Sequence, residues 1–278
     1  MRRRATSPGG RGRLWAWMVL LAVFIFWVYP AYFQDKANRS QNRGPEVPGS
    51  QDYGGSGQAS YALLATLNTW PPVRDTEATL LLSDNLLVAN YYMVLDGSGS
   101  MKERGCSGRD TKIQAARKAI AEFARSLPQD ANFGLAVFTN NVTQELIPLG
   151  RENRNRVGAV LGQIDAVGST PLRSSINLAY RKLTEQGERQ LGYGEYHLVV
   201  VTDGLASEGE DPNSVVNGIL AESPVNLHTI GFCIGTSHVL NQPRRSYYRA
   251  ADNPEELSKG LEEVIAEAPS FDVTEFDQ

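Results

Sequence analysis

The sequence predicts an α/β fold: a doubly wound, mostly parallel sheet with helices on both faces, preceded by one transmembrane helix. Three observations predict it. Apolar runs with strand character recur at residues 91–95, 133–138, 197–202 and 226–234. Segments with apolar residues at helical spacing separate them, and strands alternating with helices imply right-handed crossovers and a sheet covered on both faces. An almost unbroken apolar stretch at residues 14–33 matches the roughly 20 residues that a helix needs to cross a bilayer. With 278 residues, 41% of them hydrophobic, the chain can bury one core of domain size.

Residues 1–13 carry five arginines and no acid, and read as a basic cytoplasmic tail. Residues 14–33 read as a signal anchor, with Trp15, Trp17, Tyr29 and Tyr32 near its ends, where aromatic rings suit the membrane interfaces. Lys36, Arg39 and Arg43 follow it, mixed with Asp35 and Glu46, so the basic bias places the amino terminus inside and the domain outside. The apolar region is long for a cleaved signal peptide, and Tyr29-Pro30-Ala31-Tyr32-Phe33 is a poor small-residue cleavage site. The expected location is the cytoplasmic (inner) membrane, single-pass, with the carboxyl-terminal domain outside the cytoplasm, periplasmic in a Gram-negative cell. Residues 34–58 are a linker of Gln, Asn, Arg, Gly, Pro and Ser that cannot bury enough surface to fold. Residues 59–88 are expected to be an extension packed on the core. Within it, 62–64 and 80–82 suit helix or strand, around Pro71-Pro72.

The domain itself is expected over residues 89–268. Residues 91–95 form its first strand. Asp110 caps a helix to Leu127, with Ile113, Ala116, Ile120, Phe123 and Leu127 on one face and Pro128 beyond. Residues 133–138 make a strand and 142–147 an edge strand. A helix over 151–166 presents Val157, Val160, Leu161 and Ile164. Another runs from Pro171 to Gln186, with Leu172, Ile176, Ala179, Tyr180 and Leu183 inward. A Gly-rich loop leads to the strand at 197–202. Asp211 caps a short helix at 212–221, and strands follow at 226–234 and 246–250. Asn253-Pro254-Glu255-Glu256 opens the last helix with a cap, a proline and two acids near its positive end. Leu257, Leu261, Val264 and Ala268 form its buried stripe. Residues 269–278 are an acidic tail, with Asp272, Glu275 and Asp277 among Phe271 and Phe276.

The first strand runs into Asp96-Gly97-Ser98-Gly99-Ser100. One carboxylate and two hydroxyls are thereby delivered to one tight turn at a strand's carboxyl end. Such hard oxygens suit a small divalent cation, but Mg²⁺ takes about six ligands, so the turn cannot fill the shell alone. Thr170, just before Pro171, offers a further hydroxyl, and the strand at 197–202 ends in Asp203-Gly204. In an open parallel sheet, ligands gather at the carboxyl ends of the strands. The competing reading is that these hydroxyls only cap turns and helices.

With five such positions in this order, the sequence resembles the von Willebrand factor type A (VWA) domain family and its metal-ion-dependent adhesion site (MIDAS), over roughly residues 88–268. The resemblance implies a Rossmann-like VWA fold and a protein-binding, non-enzymatic function. It implies that Ser98, Ser100 and Thr170 contact the metal directly or nearly so, while Asp96 and Asp203 act largely through water and hydrogen bonds. Neutral hydroxyls leave the metal's charge under-compensated, so it attracts a partner's Glu or Asp. Mg²⁺ is the expected ion, with Mn²⁺ or Ca²⁺ as alternatives. Two other functions compete: an assembly or scaffolding factor for an ATPase or another complex, and a metal-dependent phosphohydrolase. The second is disfavoured because Asp96 has Ser98, not an acid, two residues on. Ser98 also lacks a Gly-x-Ser-x-Gly elbow, and no Gly-Lys-Ser/Thr phosphate loop is present.

Formal charge is −4 overall and −9 for the chain beyond residue 13, which excludes a nucleic-acid binder. The Arg244-Arg245 pair reads as a solvated surface feature. Cys106, after the first metal motif, and Cys233, near a strand end, are either a disulfide at the metal-bearing rim or one exposed and one buried thiol. His197, His228 and His238 are scattered and read as core or edge residues. Glu208, Glu210 and Asp211 after Asp203 read as a solvated loop with a helix cap rather than as aids to the cation.

Overall fold

The computed structural model describes residues 70–72, 81–242 and 246–266. Six strands form one sheet in the order β3-β2-β1-β4-β5-β6, with β1 Ala89–Asp96, β2 Asn132–Thr139, β3 Val142–Gly150, β4 Glu195–Thr202, β5 Asn226–Phe232 and β6 Tyr247–Ala251. All neighbouring strands pair in parallel except β3, which returns antiparallel along β2. Strands in such a sheet are covered on both faces, which is why β1 and β4 read as continuous apolar runs rather than alternating ones. Side chains still point alternately to the two faces. Tyr91, Met93 and Leu95 therefore join one core with helices α1 Lys112–Ser126 and α5 Pro254–Ala266. Tyr92 and Val94 join the other with α3 Leu172–Arg189 and α4 Asn213–Glu222.

The topology fixes where a ligand can go. From β1 the chain moves one way to β2 and β3, and the other way to β4, β5 and β6. This reversal opens a crevice at the carboxyl ends of β1 and β4. Leu95 pairs with Val201, so Asp96 and Thr202 lie side by side where the two strands end.

Several expected boundaries are corrected. Thr111, not Asp110, caps α1: it accepts from the Gln114 backbone N–H while its own N–H donates to the Gln114 side chain. This reciprocal pair satisfies two otherwise orphaned donors. Asp110 instead pairs with Lys118 at 2.5 Å, and its carbonyl accepts from the Ser107 hydroxyl. The helix expected over 151–166 is a 3-10 turn, Glu152–Arg156, followed by a five-residue α2, Val157–Leu161. Gly158 and Gly162 weaken it, and Ile164 is buried without being helical. β3 continues through Pro148 to Gly150, which is tolerated because it is an edge strand. β5 stops at Phe232, where Cys233 turns out of the strand with φ of 63°. At α5, Asn253 Oδ1 accepts from the Glu256 N–H at 2.8 Å.

Residues 81–88 form neither helix nor strand. Trp70 sets its edge on Tyr196, with ring centroids 4.6 Å apart, and covers Gly187, where a Cβ would lie 2.5 Å from the indole. The expectations for residues 1–58, 59–69, 73–80, Arg244-Arg245 and the tail beyond Ala266 lie outside the described residues. Among the described residues, no helix is long and apolar enough to cross a membrane.

Candidate metal centre

Asp96 is the last residue of β1 and is fully buried. Its Oδ1 accepts from the Ser98 backbone N–H at 2.8 Å, and its Oδ2 accepts from the Thr202 hydroxyl at 2.7 Å. The carboxylate thus fixes both the turn that follows it and the end of the neighbouring strand. Ser98 Oγ and Ser100 Oγ lie 3.0 Å apart, and Ser100 Oγ is 2.7 Å from Asp203 Oδ1 as donor to it. Asp203 Oδ2 accepts from Lys112 Nζ at 2.8 Å. Four of the five expected residues are therefore joined in one hydrogen-bonded cluster around the crevice.

Thr170 enters from a second loop whose backbone is stitched to the other two. Gly99 N–H donates to Gly168 C=O at 3.0 Å, and Val167 N–H to Gly97 C=O at 2.8 Å. Thr170 N–H donates to Ser207 Oγ at 2.9 Å, and Ser207 N–H returns to Thr170 C=O at 3.1 Å. Gly168 has φ of 92°, and a Cβ there would stand 2.7 Å from the Asn141 backbone nitrogen, so only glycine lets this loop close on β2's end.

The electrostatics suit a cation. Burial, and then the charge of Asp203, push the Asp96 carboxyl up to about 6, against the opposing hydrogen bonds of Ser98 and Thr202. Burial works against the Lys112 charge, but Asp203 and then Glu103 outweigh it and hold the ammonium above its ordinary value. Of the two buried carboxylates, Asp203 meets the Lys112 ammonium and Asp96 does not, and Ser98, Ser100 and Thr202 add hydroxyls. An all-oxygen, net-negative set of this kind fits a small hard divalent cation. Among the described residues, no group of three or more His, Cys, Asp or Glu side chains is arranged to hold a metal, so a cation site here depends on hydroxyls.

A further loop, after β5, also frames the crevice. Cys233 is disulfide-bonded to Cys106, with Cα atoms 5.8 Å apart. His238 Nε2 lies 3.0 Å from Gly204 C=O, and its Nδ1 accepts from the Leu240 N–H at 3.2 Å. The second bond requires a bare Nδ1, so the ring is the Nε2–H tautomer and donates to the residue beside Asp203. Burial lowers the His238 pKa, which favours that neutral ring. Lys112, Thr202, Ser207 and His238 are participants that sequence reasoning missed. Only Thr202 carried a signal, as the residue adjoining Asp203. The acids after Asp203 serve the helices: Glu210 accepts from both the N–H and the hydroxyl of Ser174 at 2.8 Å, and Asp211 accepts from the Asn213 N–H at 3.0 Å.

The sequence pattern of the von Willebrand factor type A domain matches residues 90–278. The chain belongs to the VWA domain family. Domains of the VWA family are typically protein-binding, generally non-catalytic modules, and often bind a divalent cation at a MIDAS. The human inter-alpha-trypsin inhibitor heavy chain H4 is 32% identical over 152 residues, which span 52% of this chain and 15% of that protein. The uncharacterized protein YfbK of Escherichia coli (strain K12) is 24% identical over 159 residues, spanning 56% of this chain and 26% of that protein. The chain spans only 15% and 26% of the length of these two relatives. Among solved structures, a von Willebrand factor type A protein from Catenulispora acidiphila superposes with a TM-score of 0.52 at 18% identity, over 65% of this chain and 42% of its own. Proximal thread matrix protein 1 from the mussel byssus gives 0.50 at 18% identity, over 64% of this chain and 47% of its own. Both share the VWA fold.

Proposed function

We propose that this VWA domain binds a protein partner through a MIDAS cation and is tethered to the membrane by residues 14–33. Asp96, Ser98, Ser100, Thr170 and Asp203 hold Mg²⁺, with Mn²⁺ or Ca²⁺ as alternatives, and a Glu or Asp of the partner completes the shell. The observation that carries this reading is the buried cluster in which Ser98 and Ser100 Oγ stand 3.0 Å apart between Asp96 and Asp203. Asp203 accepts a hydrogen bond from the Ser100 hydroxyl, which leaves a Ser100 oxygen lone pair for a cation. Asp96 holds the Ser98 backbone, which keeps the second hydroxyl beside the first. The bound cation supplies positive charge that a partner carboxylate neutralises. The Cys106–Cys233 disulfide supports a domain exposed outside the cytoplasm, where such bonds persist.

The direct test is calorimetric titration of the full chain with Mg²⁺. Asp96→Ala and Thr170→Ala are expected to weaken binding at least tenfold and to abolish metal-dependent capture of partners, with circular dichroism unchanged. Undiminished Mg²⁺ affinity in both variants overturns the assignment.

A further inference from the structure

We propose that Lys112 sets the charge of the metal centre. Its ammonium holds Asp203 back from direct coordination and leaves a bound cation short of one negative charge, which the partner's carboxylate supplies. This inference rests on the metal-binding reading above and adds a determinant outside the five motif positions.

Lysine is rarely buried without a purpose in charge pairing. The Lys112 side chain is only 8% exposed, and the Asp203 side chain it meets is 0% exposed. Three restraints fix it. Its N–H donates to Glu103 C=O at 2.9 Å, at the start of α1. Its stem runs against Gly105, where a Cβ would come within 2.9 Å of Lys112 Cε and 3.8 Å of Cys233 Sγ, so the disulfide-closed loop walls it in. Its Nζ sits 2.8 Å from Asp203 Oδ2 and 3.5 Å from Glu103 Oε2. The other Asp203 oxygen is taken by Ser100. Both carboxylate oxygens are thus engaged by protein donors, and Asp203 acts as a positioning residue.

Asp96 and Asp203 contribute one negative charge each and Lys112 one positive charge, while Glu103 is 70% exposed and screened by water. A divalent cation in this set retains one uncompensated positive charge. Were Lys112 neutral, the same set would balance the ion by itself, and a partner carboxylate would have little to gain.

The test is Mn²⁺ titration of the full chain in detergent, without partner, with free Mn²⁺ read by electron paramagnetic resonance. Lys112→Met keeps the volume and removes the charge, and is expected to bind Mn²⁺ at least tenfold more tightly. Asp203→Asn is expected to bind at least tenfold more weakly. Adding Lys112→Met to Asp203→Asn is expected to return the affinity toward that of the unaltered protein. A merely structural lysine gives no such rescue. The double variant also replaces a buried ion pair with a neutral one, so it retains a folded site even where Lys112→Met alone, with an unpaired carboxylate, does not. Equal or weaker Mn²⁺ binding by Lys112→Met, together with no rescue in the double variant, overturns the role of Lys112. If the unaltered protein still binds Mn²⁺ and Asp96→Ala does not, the metal reading survives that result. Absence of Mn²⁺ binding in every protein, the unaltered one included, overturns both.

Discussion

His197 and His228 lie in the core with Nδ1 of one 3.1 Å from Nε2 of the other. Tyr91 stacks on the first ring at 4.6 Å and Tyr247 on the second at 4.8 Å. Burial, and then the neighbouring His197, push His228 down to about 3. Burial also lowers His197, against the opposing hydrogen bond of Glu195. A histidine whose folded pKa lies below its unfolded value of about 6.5 stabilises the protein fully above that pH. The stability is lost as pH falls toward the folded value, because the unfolded chain then binds more protons. Asp96, raised by burial, has the opposite slope in metal-free protein, so the measurable quantity is a difference. On lowering the pH from 7 to 5, the unaltered domain is expected to lose about 2 kcal/mol more stability, read by urea denaturation, than His228→Gln. Equal losses would remove the histidine pair from the acid response. Such behaviour was only partly legible in the sequence. The strands around His197 and His228 marked them as core or edge residues, but their burial and pairing follow from the parallel register of β4 on β5, which no local pattern encodes. Lys112 was hidden for a related reason. A lysine at a helix start normally reaches water along its stem, and only the fold brings Asp203 to it.

At the scale of elements, the loops carry the restraints. β1 and β4 were readable because strands covered on both faces leave long apolar runs, and because β1 ends in Asp96 and β4 runs directly into Asp203. The 151–166 helix was over-read: Val157, Leu161 and Ile164 are buried, but burial at helical spacing does not require a helix when two glycines interrupt it. The loop after β5 was only partly readable: the two cysteines offered a disulfide at the rim as one of two readings, and the structure forms that covalent link between positions 127 residues apart, but His238 reaching Gly204 depends on the fold. That link closes a long loop in the unfolded chain. Cys106→Ser/Cys233→Ser is expected to lose about 2–4 kcal/mol of stability, measured as a shift of the urea midpoint. No shift, together with two alkylatable thiols in protein from its native compartment, would show that the bond contributes nothing.

For the whole molecule, binding and stability are linked. A cation that binds only the folded domain adds about 2.7 kcal/mol at a hundred times its dissociation constant. Calorimetric scans are therefore expected to show a melting temperature that rises with Mg²⁺, falls back with chelator, and does not respond in Asp96→Ala. A melting temperature indifferent to Mg²⁺ in the unaltered protein would contradict the proposal. The sheet's two margins have a separate consequence. One is β3, carrying Pro148, and the other is β6, only five residues long. Unsatisfied strand margins invite copies to zip together, and proline and brevity both frustrate that. Were copies tethered side by side on a membrane, as proposed above, blunted margins would let them crowd without fibrillating.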